Sequence, residues 1–245
     1  MRSSGPGFTV LVTLMLSSAC IGFVGCSHIP GRPGSEPEVA RPEEVLAFPT
    51  LYKENCAACH GENGRSGAAI SLANPVYLAV AGEKTLQRAI AKGVPGSLMP
   101  PFAKSSGGML TDRQVTALAQ GILQQWGKSN LLAGQNPPPY LATLPSNVEH
   151  GQQAFTTSCA RCHGATGEGS SGKTRLGSIV DASYLALISD QNLRSITIAG
   201  RPDEGMPDWR SDAAQPLTDQ QITDIIAWLA SKRTVNPGQP YFTHP

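Results

Sequence analysis

Two segments of this chain share the pattern Cys-x-x-Cys-His, the feature that most restricts what it can fold into: Cys56–His60 and Cys159–His163. In such a pattern the two thiols bond the vinyl groups of a haem, and the adjacent imidazole coordinates the iron. Paired cysteines also occur as disulfides, in four-thiolate zinc sites and in thioredoxin-like redox motifs. A redox motif does not require the following His, and a zinc site would have to unite two pairs that lie far apart in the chain. The sequence therefore predicts two covalently bound haem c groups.

The two motifs belong to an internal repeat. Tyr52–His60 aligns with Phe155–His163, and the alignment resumes after a four-residue insertion in the second copy. The later matches are Tyr77–Ala79 with Tyr184–Ala186, Gly93 with Gly200, Met99–Pro100 with Met206–Pro207, and Leu110–Asp112 with Leu217–Asp219. Such self-similarity indicates two homologous domains, which we place at residues 45–128 and 147–235. Because only 6% of the residues are aromatic, we expect a haem to fill much of each small core.

Helix signals indicate an all-α fold with long loops around each haem. Thr111–Gln114 and Thr218–Gln221 match capping boxes, each followed by residues at helical spacing. The apolar faces of these two helices are Val115, Leu118, Ala119, Ile122 and Trp126, and Ile222, Ile225, Ile226 and Leu229. Two further helices are predicted at Glu83–Lys92 and Asp190–Ala199, each ending at a glycine. No strand-like alternation persists.

Each iron also needs a sixth ligand, and the chain offers few candidates. Three histidines lie outside the motifs. His28 precedes the first repeat, His150 lies at the start of the helix that precedes the second motif, and His244 is next to the C-terminus. Met99 and Met206 occupy equivalent positions in the repeats, and both are followed by Pro. Met109 directly precedes a capped helix, where a packing role is the usual one. The repeat therefore favours Met99 and Met206.

These motifs resemble those of class I cytochromes c, and their duplication resembles the dihaem cytochromes c. The second repeat is also similar to the cytochrome c subunits of haem-copper oxidases. The resemblance covers roughly residues 45–128 and 147–235 and implies all-α domains with one His and one Met ligand on each iron. By residue, it implies thioether bonds at Cys56, Cys59, Cys159 and Cys162, proximal ligands His60 and His163, and distal ligands Met99 and Met206. The first repeat departs from the pattern at Phe48, where the second has Gly151, so the resemblance does not fix the packing of its first helix.

The first 26 residues are predicted to be a signal peptide or a membrane anchor. Arg2 precedes an uncharged run that includes the apolar stretch Phe8–Val24. Three outcomes stay open: cleavage to a soluble form, lipidation of Cys26 at a site resembling a bacterial lipoprotein processing site, and retention as an N-terminal anchor. We expect the haem domains to lie on the periplasmic side of a bacterial membrane.

Three connecting segments complete the predicted organisation. Residues 27–44 contain repeated Pro and Gly and are expected to form a flexible tether. Residues 129–146 form a Pro-rich linker between the domains, which we expect to be semi-rigid, and residues 236–245 form a C-terminal tail.

Saturated iron predicts electron transfer rather than catalysis, because catalysis at haem needs a coordination site that is open or opens. We expect single electrons to pass through a respiratory or photosynthetic chain, with this protein as a carrier or as a subunit of a membrane complex. The expected partners are a quinol-oxidising complex and a terminal oxidase or other acceptor. The alternative is a dihaem oxidoreductase such as a thiosulfate dehydrogenase or a peroxidase, which generally needs an unusual ligand or a vacant iron.

Charge bears on the class of partner. The formal net charge is +1, so no overall basic field favours nucleic acid. The first repeat is basic and the second slightly acidic, so basic side chains of the first are candidates for steering an acidic redox partner: Lys53, Lys84, Arg88, Lys92 and Lys104. The second repeat has acidic candidates for steering a basic redox partner, and they lie beside Met206 in the sequence: Asp203, Glu204 and Asp208. Ordinary solvated surface is the alternative for both sets.

Overall fold

The computed structural model describes residues 40–169, 176–210 and 215–235. The predicted targeting segment with Cys26, most of the tether and the C-terminal tail lie outside these ranges. Within them, none of the helices combines the length and the apolar character needed to cross a membrane.

The first repeat is built from helices joined by long loops. A 3-10 turn at Pro42–Glu44 precedes four α-helices and a second 3-10 turn: α1 Phe48–Asn55, α2 Ala57–His60, α3 Pro75–Lys92, the turn Lys104–Ser106, and α4 Asp112–Trp126. The first motif occupies the junction of α1 and α2, since Cys56 ends α1 and caps α2.

The second repeat follows the same order with one division. Its elements are α5 Val148–Ser158, α6 Ala160–His163, α7 Ala182–Leu187, α8 Asp190–Ala199, the 3-10 turn Pro202–Glu204, and α9 Asp219–Ala230. Extended pairing in the described ranges consists of isolated bridges, which join Ala103 to Leu110 and Arg201 to Met206. The all-α prediction is confirmed.

The helix before each Met-Pro segment differs between the repeats. The predicted helix Asp190–Ala199 is confirmed as α8. The predicted helix Glu83–Lys92 is confirmed as the second part of α3, which already begins at Pro75 and turns sharply at Gly82, where φ is 69°. A left-handed φ suits glycine because it lacks a Cβ. The extra first part of α3 corresponds to α7, so both repeats contain the same two helical pieces.

Both predicted capping boxes are present. The Thr111 and Thr218 hydroxyls accept from the N–H groups of Gln114 and Gln221, whose side-chain oxygens accept in return from the Thr backbones. The predicted apolar faces of α4 and α9 are buried, apart from the partly exposed Trp126. These faces pack against α1 and α5 respectively, so each terminal helix covers the helix that precedes its motif.

The first crossing shows how Phe48 is accommodated. A Cβ on Gly121 of α4 would lie 2.2 Å from an atom of the Phe48 ring, so the ring occupies the space that a glycine leaves. In the second crossing a Cβ on Gly151 would lie 2.0 Å from the carbonyl oxygen of Asp224 and 2.9 Å from the Cβ of Trp228. The departure at Phe48 is therefore compensated within its own helix pair.

The two repeats also pack against each other. Helix α3 of the first contacts α8 of the second, and both repeats belong to one compact unit. The buried Arg194 of α8 donates hydrogen bonds to the carbonyl oxygens of Pro139 and Tyr140. The predicted Pro-rich linker is thereby held against the second repeat.

Candidate haem sites

Each Cys-x-x-Cys-His motif forms one helical turn. The backbone N–H of His60 donates to the Cys56 carbonyl at 3.0 Å, and the backbone N–H of His163 donates to the Cys159 carbonyl at 3.0 Å. This turn brings both thiols of a motif and its imidazole into one short segment. The two copies have the same local geometry although their sequences between the cysteines differ.

The first imidazole is oriented for binding a metal. The His60 side chain is 8% exposed, and its Nδ1 lies 2.8 Å from the Ile70 carbonyl oxygen. Since a carbonyl only accepts, Nδ1 carries the proton and Nε2 is left with a free lone pair. Burial lowers the pKa of His60, against the smaller raising effect of the Ile70 carbonyl, so the neutral form that ligates iron is favoured.

The second imidazole is partly buried. Burial lowers the pKa of His163 as well. Its buried Nδ1 has no hydrogen-bond partner among the residues that the structure describes. The four-residue insertion of this repeat follows the motif, and residues 170–175 lie outside the described ranges.

The first cysteine of each motif has the character of a neutral thiol. None of the four motif cysteines is in a disulfide, and Cys59 and Cys162 are exposed. Burial, with a contribution from the second thiol of each motif, raises the pKa of Cys56 to about 12 and of Cys159 to about 11. A redox-active Cys-x-x-Cys has a lowered pKa instead. Nor does any group of three or more His, Cys, Asp or Glu in the described ranges have a metal-binding arrangement, so the four thiols do not share a site.

The two Met-Pro segments lie against the glycines that end the preceding helices. Gly93 and Gly200 have φ values of 70° and 68°. A Cβ on Gly93 would lie 2.7 Å from the Met99 carbonyl oxygen, and one on Gly200 would lie 2.6 Å from that of Met206. Both methionine side chains are partly buried. The equivalence of the two segments therefore extends from sequence to backbone packing.

Two of the other candidate ligands, His150 and Met109, are not brought to these sites. His150 lies exposed in the first turn of α5, and the Met109 side chain is 82% exposed. His28 and His244 lie outside the described residues.

The surface charges differ between the two repeats. The five basic side chains proposed for steering in the first repeat are all exposed. In the second, Glu204 pairs with Arg201, and Asp208 pairs with Arg210. Burial alone would raise the pKa of Asp208, but the Arg210 contacts lower it overall. The acidic groups near Met206 are thus partly neutralised by their own neighbours.

Three contributing residues were not found from the sequence: Ile70, Asn74 and Gly121. The role of Ile70 rests on its carbonyl, which has no residue-type signal. Asn74 precedes a Pro and aligns with Asp181, which marks a helix cap but not its further contacts. Gly121 aligns with Trp228, and Phe48 aligns with Gly151. These two exchanges between a glycine and a large residue were the signal that the sequence offered for this helix contact.

Family profiles match both repeats. The profile described as cytochrome c matches residues 148–232, and the one described as cytochrome c oxidase, cbb3-type, subunit III matches residues 44–120. The oxidase-subunit profile thus lies on the first repeat, whereas the sequence resemblance placed that likeness on the second.

Curated relatives extend over both repeats. The cbb3-type cytochrome c oxidase subunit FixP of Sinorhizobium medicae is 29% identical over 196 residues, covering 71% of this chain and 61% of the relative. Subunit FixPc of Rhizobium leguminosarum bv. viciae is 30% identical, covering 74% and 58%. A dihydro-heme d1 dehydrogenase of Pseudomonas aeruginosa is 34% identical over 102 residues, covering 39% and 20%. The chain thus spans about three fifths of the two oxidase subunits.

Among solved structures, a chain of the Kuenenia stuttgartiensis reducing HAO-like protein complex aligns over its full length with 80% of this chain. The sequence identity is 19% and the TM-score is 0.47.

The two profile matches, together with the two motifs and the repeated helical framework, identify the family. The chain is a dihaem cytochrome c, with two cytochrome c domains in tandem that bind haem c covalently.

Proposed function

We propose that the protein transfers single electrons through two haems, one ligated by His60 and Met99 and the other by His163 and Met206. Haem c bound at each motif supplies a one-electron ferric/ferrous couple. The proposed thioether attachments are Cys56 with Cys59 and Cys159 with Cys162.

The equivalent placement of Met99 and Met206 carries this proposal. Each follows a left-handed glycine that ends a helix, and a Cβ on that glycine would meet the backbone of the Met-Pro segment. The same backbone arrangement in both repeats supports a shared role for the two thioethers. Two strong axial ligands leave no position for a substrate, which favours electron transfer.

The proposed partners are a quinol-oxidising complex as donor and a terminal oxidase or another acceptor. Similarity to cbb3-type oxidase subunits supports a place in a chain that ends at an oxidase. The basic, exposed side chains of the first domain favour an acidic partner there. Whether the protein acts as a free carrier or as a subunit is tested by isolating it in mild detergent and identifying its companions.

We further propose that the N-terminal segment holds the domains at the periplasmic side of a bacterial membrane, through a lipid on Cys26 or through an uncleaved helix. Cys26→Ser separates the two: lipid anchoring predicts release into the soluble periplasmic fraction with both haem spectra unchanged. Retention at the membrane would point instead to an uncleaved Phe8–Val24 helix or to a tightly bound partner, which deletion of that helix behind a cleavable signal separates.

The test of electron transfer is a potentiometric titration combined with carbon monoxide binding. We expect two reversible one-electron steps, slow carbon monoxide binding at neutral pH and no appreciable peroxidase or thiosulfate-oxidising activity. A dihaem enzyme is the second candidate, and the similarity to dihydro-heme d1 dehydrogenase over 102 residues favours it. Rapid stoichiometric carbon monoxide binding to one haem would reverse the ranking.

A further inference from the structure

The contact between the two haem domains centres on one buried side chain, Asn74. It is 4% exposed and directly precedes α3 of the first domain. Its Nδ2 donates to the carbonyl oxygens of Ala199 and Gly200 in the second domain, at 3.0 and 3.1 Å. Its Oδ1 accepts from the N–H groups of Val76 and Tyr77, at 3.0 and 3.2 Å. One amide group therefore caps a helix and links the domains.

The equivalent residue of the second domain separates these two roles. Asp181 caps α7 by accepting from the N–H groups of Ser183 and Tyr184, at 2.9 and 3.0 Å. It is exposed, and a carboxylate has no hydrogen to donate. Capping thus requires only the side-chain oxygen that both residues possess. The donor group of Asn74 serves the contact between domains.

The linked segments both lead to a proposed haem site. Four residues before Asn74, the Ile70 carbonyl accepts the hydrogen bond of His60 Nδ1. On the other side, Gly200 ends α8 and precedes the bridge in which Arg201 and Met206 exchange backbone hydrogen bonds at 2.9 and 3.0 Å. The Asn74 amide therefore connects two segments. One contains Ile70, whose carbonyl orients His60, and the other contains Met206.

Resting on the proposed electron transfer, we propose that Asn74 is a positioning residue that fixes the two haem domains relative to each other, so that an electron passes between them without a prior domain motion. The linker supports the same arrangement, because Gln191 and Arg194 hold the Tyr140 carbonyl and the Tyr140 ring lies 6.5 Å from that of Tyr77. Loss of the Asn74 bonds therefore loosens the contact without separating the domains.

The experiment compares Asn74→Asp with Asp181→Asn in the full-length protein carrying both haems. Asp retains the cap but removes the donor and sets a carboxylate against two carbonyl oxygens. The rate of electron transfer between the haems, measured after flash reduction of one, should fall about tenfold, which corresponds to about 1.4 kcal/mol. It should also become dependent on solvent viscosity, because domain motion then precedes transfer. Both midpoint potentials should stay unchanged in the uncharged variant Asn74→Ser, and Asp181→Asn should behave as wild type.

A readout independent of the haem chemistry is thermal unfolding by calorimetry. Wild type and Asp181→Asn should unfold in one transition, and Asn74→Asp in two, because the loosened contact no longer couples the unfolding of one domain to that of the other. Asn74→Ser retains a capping oxygen without charge but is too short to reach the second domain, so it should reproduce both effects. If it does not, the carboxylate and not the lost donor is responsible, and the inference fails.

The remaining outcomes separate this inference from the proposed function. An unchanged, viscosity-independent rate in both Asn74 variants would overturn the positioning role while leaving electron transfer intact. Wild-type protein that takes up two electrons reversibly but exchanges none between its haems would also overturn the positioning role alone. Wild-type protein without reversible electron uptake would overturn the proposed function and this inference with it.

Discussion

The two haem domains solve one packing problem in opposite ways. Where the first and last helices cross, the first domain has a large side chain on its first helix, Phe48, and a glycine on its last, Gly121. The second domain has the glycine on its first helix, Gly151, and the large side chain on its last, Trp228. A close crossing tolerates one bulky partner because interiors are close-packed. In the first domain the constraint therefore acts on the pair Phe48 and Gly121, whereas in the second Gly151 faces the backbone of Asp224 and the Cβ of Trp228.

The exchange also changes what surrounds the crossing. In the first domain the Phe48 and Tyr52 rings each contact Trp126, with centroids 5.7 and 5.0 Å apart. The Tyr52 hydroxyl also donates to the Gly61 carbonyl at 2.8 Å. In the second domain Phe155, which has no hydroxyl, packs on Trp228 with centroids 4.5 Å apart. The Tyr52 hydrogen bond thus links the first helix of this domain to the loop after its motif. Phe155 cannot form the equivalent bond in the second domain.

The largest expected effect concerns whether the two domains acquire haem independently. Cys56→Ala combined with Cys59→Ala should remove one covalent haem and leave the second domain loaded, because each motif forms its own helical turn. Mass spectrometry of the mature protein checks this, and Cys159→Ala combined with Cys162→Ala is the matched variant. Loss of both haems from either variant would show that one domain needs the other for maturation.

Axial ligation gives the next largest effect. Met99→His and Met206→His should each keep a low-spin haem and lower its midpoint potential by about 0.1 V or more, a fraction of the roughly 0.8 V over which axial ligands act. The reason is that imidazole favours ferric iron more than a thioether does. Potentiometric titration of both variants assigns one potential to each domain. If neither substitution moves a potential, Met99 and Met206 are not the ligands.

The two crossing glycines should differ in their tolerance of a methyl group. Gly151→Ala places its Cβ against a backbone carbonyl and should lower the free energy of unfolding by about 3 kcal/mol. Gly121→Ala meets the Phe48 side chain, which has some freedom to move, and should cost about 1 kcal/mol. Urea unfolding followed by circular dichroism measures both.

A double-mutant cycle tests the pairing itself. Phe48→Ala should relieve much of the cost of Gly121→Ala, because it removes the ring that the new methyl group meets. Additive effects of Phe48→Ala and Gly121→Ala would contradict the paired constraint.

Local signals account for what the sequence predicted well. The capping boxes at Thr111 and Thr218 were predictable because one short segment contains every group that forms them. The contacts of Asn74 with Gly200 and of Arg194 with the linker were not, because each joins residues far apart in the chain through backbone carbonyls that every residue possesses. The same reason hid the Ile70 carbonyl beside His60. The proposed ligand pairs lie between these cases, since the repeat marks both methionines without giving their geometry.

The smallest expected effect distinguishes the two capping boxes. Gln114 is 3% exposed, and its Nε2 also donates to the carbonyl oxygens of Pro42 and Val45, at 2.8 and 3.1 Å. The predicted tether therefore ends in an anchored 3-10 turn, while Gln221 in the second domain is exposed. Gln114→Ala should lower the free energy of unfolding by about 2 kcal/mol, since two carbonyls lose their donor as well. Gln221→Ala loses only the box and should cost about 0.5 kcal/mol. Urea unfolding with hydrogen exchange at Val45 checks both, and equal costs would mean that the turn does not depend on Gln114.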